Sequence, residues 1–285
     1  MGTYKPPFPD GHFYSPTIDP EDLQKRKHEI WQRDPVVRGI DFNEAFHVDF
    51  LEEVFPRHIA GYDYPERLEE TPQLRQFFTR NSQFSWLDSR VLFVMLRHVR
   101  PRRIIEVGSG FSSLLIADVV ARYLDGQAEF SCIEPYPRDF LLQRIPGISQ
   151  VIIERVQGVP IRRFEKLDAG DILFIDSSHV AKTGSDVNYL FFEVLPVLRP
   201  GVLIHFHDIF LPYEYLEDWV LGEKRSWNEQ YLLRALLMYS TAFKFLFGSS
   251  FAFHRFPERV KKALALPSAN AFGGGSVWIE RTGSR

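Results

Sequence analysis

The chain has 285 residues, of which 45% are hydrophobic and 25% charged, values that exclude a disordered or fibrous protein. Lys and Arg total 34 against 37 Asp and Glu, a net charge of −3, so no general attraction to nucleic acid or to an anionic membrane surface is expected. The single cysteine, Cys132, can close no disulfide within the chain and build no multi-cysteine metal site. That usage permits a reducing, cytoplasmic setting. The N-terminus lacks the apolar stretch of a secretory signal, and no apolar run approaches the roughly 18 residues of a membrane span. The length suits one α/β core with an appendage. An aromatic fraction of 15%, with 26 Phe, points to a phenylalanine-rich core.

Residues 1–20 carry Pro6, Pro7, Pro9, Pro16 and Pro20 and read as an irregular arm. Helical spacing is expected over Glu21–Gln32, Asn43–Phe55, Pro65–Arg80 and Ser85–His98. In the last of these Leu87, Val91, Val94, Met95 and His98 share one face, and Pro101 ends it. From Arg102 short apolar strands alternate with helices. Strands are read at Arg103–Val107, Glu129–Glu134, Val151–Val156, Asp171–Asp176 and Val202–Asp208, and helices at Ser112–Leu124, Arg138–Arg144 and Asp186–Leu198. That alternation predicts a parallel sheet covered on both faces. A helix over Asn228–Tyr239 and strand-like alternation at Phe243–Phe247 and Val277–Ile279 follow. The expected organisation is a helical extension over 1–80, serving as a lid over the cleft or as a homodimer contact, and an α/β domain over 81–285.

Ile104-Ile105-Glu106-Val107-Gly108-Ser109-Gly110-Phe111-Ser112-Ser113 leads from a strand through a glycine turn into a helix. Such a turn lets the backbone approach a ligand closely and offers it free N–H donors. A dinucleotide fold wants a third glycine where Ser113 stands. Glu106, two residues before the first glycine, suits a cofactor carrying an ammonium group. Glu134 ends the second strand, where an acid can accept hydrogen bonds from both hydroxyls of a ribose. Together these features favour a nucleoside cofactor.

Glu106-Val107-Gly108-Ser109-Gly110, Glu134, Phe174-Ile175-Asp176-Ser177-Ser178-His179 and His207-Asp208-Ile209-Phe210 resemble motifs of class I S-adenosylmethionine-dependent methyltransferases. The similarity is to the bacterial small-molecule and sugar O-methyltransferases of the macrocin type, and it covers about residues 81–282. The resemblance implies a Rossmann-like sheet of seven strands, mostly parallel with the last antiparallel, and helices on both faces. It places the methionine moiety on Glu106 and Gly108, with Ser109, Gly110, Ser112 and Asp176 also on the cofactor, and the ribose on Glu134. Gln157 and Gly158 occupy the adenine-side loop. Many relatives carry an acid near Gly158; here Gln157 and backbone groups are left for the adenine.

Asp176 and His179 lie three apart past the fourth strand, and His207-Asp208 ends the fifth. Histidines and aspartates converging at neighbouring strand tips form an acid–base or metal site. His205 shares the face of His207 by strand alternation. Methyl transfer to an oxygen requires that a hydroxyl lose its proton, and a neutral imidazole is the natural base, so His179 is the first candidate and His207 the second. By the resemblance, Asp176 with His207 and Asp208 would hold a divalent cation, Mg²⁺ or Mn²⁺. The expected activity is O-methylation of a hydroxyl on a small molecule or sugar, without nucleic-acid or membrane partners. A nicotinamide-dependent oxidoreductase and a non-catalytic S-adenosylmethionine-binding protein are the alternatives.

Overall fold

Seven strands form one sheet: β1 (Arg103–Val107), β2 (Glu129–Ile133), β3 (Gln150–Ile152), β4 (Ile172–Ile175), β5 (Leu203–Phe206), β6 (Phe243–Gly248) and β7 (Val277–Arg281). Their order is β3-β2-β1-β4-β5-β7-β6. Strands β1 to β5 pair in parallel, and β7 runs antiparallel to both β5 and β6. The computed structural model describes residues 7–35, 38–84, 86–264 and 273–283. The first six residues of the expected arm, and Ser85 at the start of an expected helix, lie outside the described residues.

The central strands are nearly continuous apolar runs because both faces are covered. One register row runs Cys132, Glu106, Phe174, His205, Trp278 across β2, β1, β4, β5 and β7, and every member is 0% exposed. Two polar side chains in such a row need partners. His205 stacks on Phe174 with ring centroids 3.9 Å apart, and its Nε2 pairs with Ser276 Oγ at 2.8 Å.

The helices are α1 (Pro20–Lys25), α2 (Lys27–Ile30), α3 (Glu44–Asp49), α4 (Phe55–His58), α5 (Trp86–Val99), α6 (Phe111–Tyr123), α7 (Asp186–Tyr189), α8 (Leu195–Val197), α9 (Glu229–Tyr239), α10 (Ser249–Arg255) and α11 (Pro257–Leu264). A π-helical turn joins α3 to α4 and another joins α7 to α8. In α5 Leu87, Val91, Val94 and Met95 of the expected stripe are buried, whereas His98, one residue from the helix end, is exposed.

Three expected elements differ. Pro65–Arg80 is not a helix but a loop closed at its neck, where Thr79 N and Arg80 N donate to the carbonyls of Pro65 and Glu66. Pro65 and Pro72 lack the amide donors a helix would need, and the loop buries Leu74, Phe77 and Phe78 instead. Arg138–Arg144 shrinks to one 3₁₀ turn over Asp139–Leu142 between Pro137 and Pro146. The third strand stops at Ile152 rather than Val156, at the open edge of the sheet.

Residues of the extension divide between two packings. Phe42, Phe50, Leu51, Val54 and Phe55 belong to the same core as the sheet, each fully buried phenylalanine contributing roughly 2–3 kcal/mol. Ile18, Leu23 and Trp31 pack instead against Phe210, Tyr215 and Val220. His47 ties α3 to the end of β6. Its Nδ1–H donates to Asn43 O at 3.1 Å, and Nε2 accepts Gly248 N–H at 2.9 Å. Gly108, past β1, sits at φ 81°, and a Cβ there would stand 1.8 Å from Asp176 O.

Burial pushes His47 down to about 4, its bonds to Asn43 and Gly248 opposing in part. The unfolded chain takes up this proton near pH 6.5 and the folded one only near 4. Stability from this group is therefore fully present above pH 6.5 and lost as the pH falls toward 4, by about 3 kcal/mol. Denaturant midpoints of His47→Gln should fall less steeply across that window than those of the parent; parallel slopes would count against this account. For Gly108→Ala, strain at positive φ and the collision with Asp176 should together cost roughly 2–5 kcal/mol. Urea unfolding measures it, and a variant as stable as the parent would show that the crossing can relax.

Candidate active site

A cleft of about 680 Å³ opens where β1, β2, β4 and β5 end. Its floor is built by the missing side chain of Gly108. The Gly108 N–H donates to Ile133 O at 3.0 Å and the Asp176 N–H to Val107 O at 2.8 Å, which locks the exits of β2, β1 and β4 together. Gly110 N donates to Ser113 Oγ, closing the turn into α6. Gly108, Ser109, Gly110 and Ser112 all line the cleft.

Glu106 does not line it. The carboxylate lies beneath the turn and accepts from Ser112 Oγ at 2.7 Å, from Ser113 Oγ, and from Cys132 Sγ at 3.5 Å. Burial raises it to about 7, with the serines pulling the other way. Its place is under the loop, where it holds the start of α6, rather than against the ammonium group the sequence suggested. Glu134 does reach the cleft. Its Oε2 accepts Ser109 N at 3.1 Å and its Oε1 accepts Tyr136 N at 2.7 Å. Gln157 and Gly158 lie off the cleft wall: Gln157 donates to Gly184 O, and Gly158 packs against Glu154.

On the opposite side Asp176, His179 and Asp208 converge, their ligating atoms all within 4.8 Å of one another. His179 Nε2 lies 3.3 Å from Asp176 and 3.6 Å from Asp208. Its Nδ1 is 2.9 Å from Glu229 Oε2. His207 stands beside this group, with Nδ1 3.5 Å from Asp176 and 3.6 Å from Asp208. That nitrogen is buried without a hydrogen bond. His179, read from sequence as a base, thus occupies the position in the cluster that was expected of His207. His179 and Asp208 both hold left-handed backbone, at φ 59° and 57°, a conformation uncommon for such residues and concentrated at functional sites.

The electrostatics follow from four carboxylates around two imidazoles. Burial lowers His179, but Asp176 and Glu229 outweigh it and raise the group to about 10. Burial likewise lowers His207, while Asp208, Asp176 and Asp88 bring it to about 9. Asp176 is held below the carboxylate range by the two histidines against the opposing effect of burial, and burial raises Asp208. The acids around each ring favour its protonated form in the free site, opposite to the neutral form that a base needs. His205 is the opposite case: burial, with His207 nearby, holds it well below 6.5.

Asp88, Trp219 and Arg225 escaped the sequence reading, whereas Trp227–Tyr231 reads from sequence either as facing the acceptor or as a helix start with packed aromatics, and the structure makes it both a cleft wall at Trp227 and a helix start at Glu229. Asp88 of α5 is buried, accepts Gly275 N and Ser276 N, and lies 3.9 Å from His207 Nε2. A charge on the apolar stripe Leu87–Val91 was its signal. Glu229, the first residue of α9, is fully buried behind His179. Trp219 and Trp227 form a wall with Arg225 between them, 4.1 and 4.4 Å from the two rings.

The donor set suits a divalent cation: two carboxylates, an imidazole whose second nitrogen is already engaged, and the orphaned His207 Nδ1 alongside. Among solved structures the chain is similar at 14% identity to the SAH-bound methyltransferase PaMTH1 of Podospora anserina, with a TM-score of 0.41 over 92% of this chain and 95% of that one. It is also similar at 14% identity to an O-methyltransferase of Bacillus cereus in complex with SAH, with a TM-score of 0.41 over 85% and 98%. A family model described as a methyltransferase domain matches residues 105–209. An uncharacterized protein of Archaeoglobus fulgidus is 36% identical over 165 residues, 56% of this chain and 74% of the relative. The chain belongs to the family of that archaeal protein, and its residues 105–209 are similar to a methyltransferase domain.

Proposed function

We propose that the protein is an S-adenosylmethionine-dependent methyltransferase that methylates a hydroxyl of a small molecule or sugar, with a divalent cation at the acceptor. The observation that carries this reading is the juxtaposition, in one cleft, of the Gly108–Gly110 turn and Glu134 with the Asp176–His179–Asp208 cluster.

On the cofactor side, the turn leaves backbone exposed with no side chain between it and a ligand, and Glu134 keeps lone pairs free for ribose hydroxyls. An in-line displacement at a sulfonium carbon needs an oxygen nucleophile positioned and stripped of its proton. Asp176, His179 and Asp208 would hold the cation, which would lower the pKa of the acceptor hydroxyl and orient its oxygen. The hydroxyl proton has its acceptor beside the same cluster. With those three side chains committed to the cation, His207, whose Nδ1 lies 3.5 Å from Asp176 and 3.6 Å from Asp208, would take the proton, a bound cation favouring its neutral form. Trp219 and Trp227 offer flat apolar faces to a ring on the acceptor and exclude water from it.

Thermal stabilisation by adenosylhomocysteine but not by NAD is the expected result of a ligand screen, and the reverse pattern would overturn the cofactor reading. Glu134→Ala should weaken adenosylhomocysteine by roughly 1–3 kcal/mol in calorimetric titration. Methyl transfer should be lost on chelation and regained with Mg²⁺ or Mn²⁺. Asp208→Ala should reproduce the chelated rate; full turnover in excess chelator would remove the cation from the proposal.

A further inference from the structure

We infer that Glu229 is a positioning residue for His179, a buried carboxylate that decides which ring nitrogen faces the cleft. Its part in turnover rests on the methyltransferase reading above; the pair itself does not.

Glu229 is 0% exposed although it begins a helix, a position where an acid is ordinarily solvated. Leaving a carboxylate there costs several kcal/mol unless it is paired and hydrogen-bonded. Its Oε2 takes two donors, His179 Nδ1–H at 2.9 Å and Ser177 Oγ–H at 2.8 Å. Ser177 Oγ in turn accepts His179 N–H at 3.0 Å. The main chain repeats the embrace: Asn228 N and Glu229 N both donate to His179 O, and Asn228 Oδ1 accepts Ala181 N. Trp227 closes over the imidazole at 4.2 Å between centroids.

With Nδ1–H committed to Glu229, only Nε2 remains for the cleft, where it meets Asp176 and Asp208. A capping or packing role alone would not require a charged group at this depth, nor one aimed at a ring nitrogen. A carboxylate placed behind an imidazole fixes its tautomer and its rotation, and losing such a partner lowers activity or ligand affinity by roughly 10–100-fold.

The test uses the full chain labelled with ¹⁵N at its nine histidines. A low-field, exchange-protected ring proton, assigned by its loss in His179→Gln, is expected in the parent. It should move upfield in Glu229→Gln, where the acceptor is neutral, and vanish in Glu229→Ala. Should the alanine variant fail to fold, the isosteric glutamine variant decides alone. Adenosylhomocysteine affinity should stay within about twofold, while methyl transfer by Glu229→Gln falls roughly 10–100-fold with little change in the acceptor KM. A ring proton absent from the parent, one unmoved by substitution at Glu229, or turnover at the parent rate would overturn the inference. Because the resonance is read on the free protein, failure to bind adenosylhomocysteine with that proton present would overturn the methyltransferase reading and leave the pair standing.

Discussion

The cleft depends on one residue having no side chain. Gly108 turns the chain out of β1 against the carbonyl of Asp176, at a separation that admits no Cβ. Its N–H reaches Ile133 O while Asp176 N reaches Val107 O, so three parallel strands leave the sheet through one hydrogen-bonded crossing. Glu134 hangs from the first of these exits, the Gly108–Gly110 turn from the second, and Asp176 with His179 from the third. The two halves of the site are therefore fixed relative to each other by backbone, and their spacing is independent of side-chain rotamers.

On that frame the chain accumulates charge. Asp88, Asp176, Asp208 and Glu229 surround His179 and His207, and all but Asp176 have side chains less than a fifth exposed. The two imidazoles hold Asp176 below its usual range, while burial raises Asp208 above its own. The two imidazoles, drawn toward their protonated forms, offset part of the excess. The remainder makes this side of the cleft a host for positive charge, which is the sign of a sulfonium and of a divalent cation. A pyrophosphate has the opposite sign. Ser113 adds a second reason against a dinucleotide, since its hydroxyl, held between Glu106 and Gly110 N, stands where that fold needs a glycine.

What was legible in the sequence was local. The turn at Gly108, the acid at Glu134 and the pair Asp176–His179 each sit within a few residues of a strand end, and apolar runs of four or five residues mark those ends. The parallel sheet followed from the same alternation. Glu106 was misplaced for a local reason too: strand geometry set its face, but not whether Ser112 and Ser113 would fold back onto it. The helix expected over Pro65–Arg80 was false because a closed loop buries Leu74, Phe77 and Phe78 without one. Gln157 was assigned from its place after the third strand, and a bond to Gly184, 27 residues away, moved it elsewhere.

The tryptophan wall of the cleft is built from contacts of much longer range, and no short motif encodes them. Trp219, Arg225 and Trp227 belong to a segment that pairs with the N-terminal arm: Trp31 Nε1 donates to Tyr215 O at 2.7 Å across 184 positions, and Ile18 N to Ser226 Oγ at 3.2 Å across 208. None of the described residues of the arm lines the cleft. The arm braces the wall from behind, while Ser82, Gln83 and Phe84 reach the cleft directly. The two sides of the cleft thus differ in how they are specified. The glycine-turn side is set by turn chemistry at neighbouring strand ends, the tryptophan side by whether distant segments pack together. Substitutions in the arm should therefore bear on the tryptophan wall through Trp31 and Tyr215, and leave the Gly108 crossing, which shares none of those contacts, as it is.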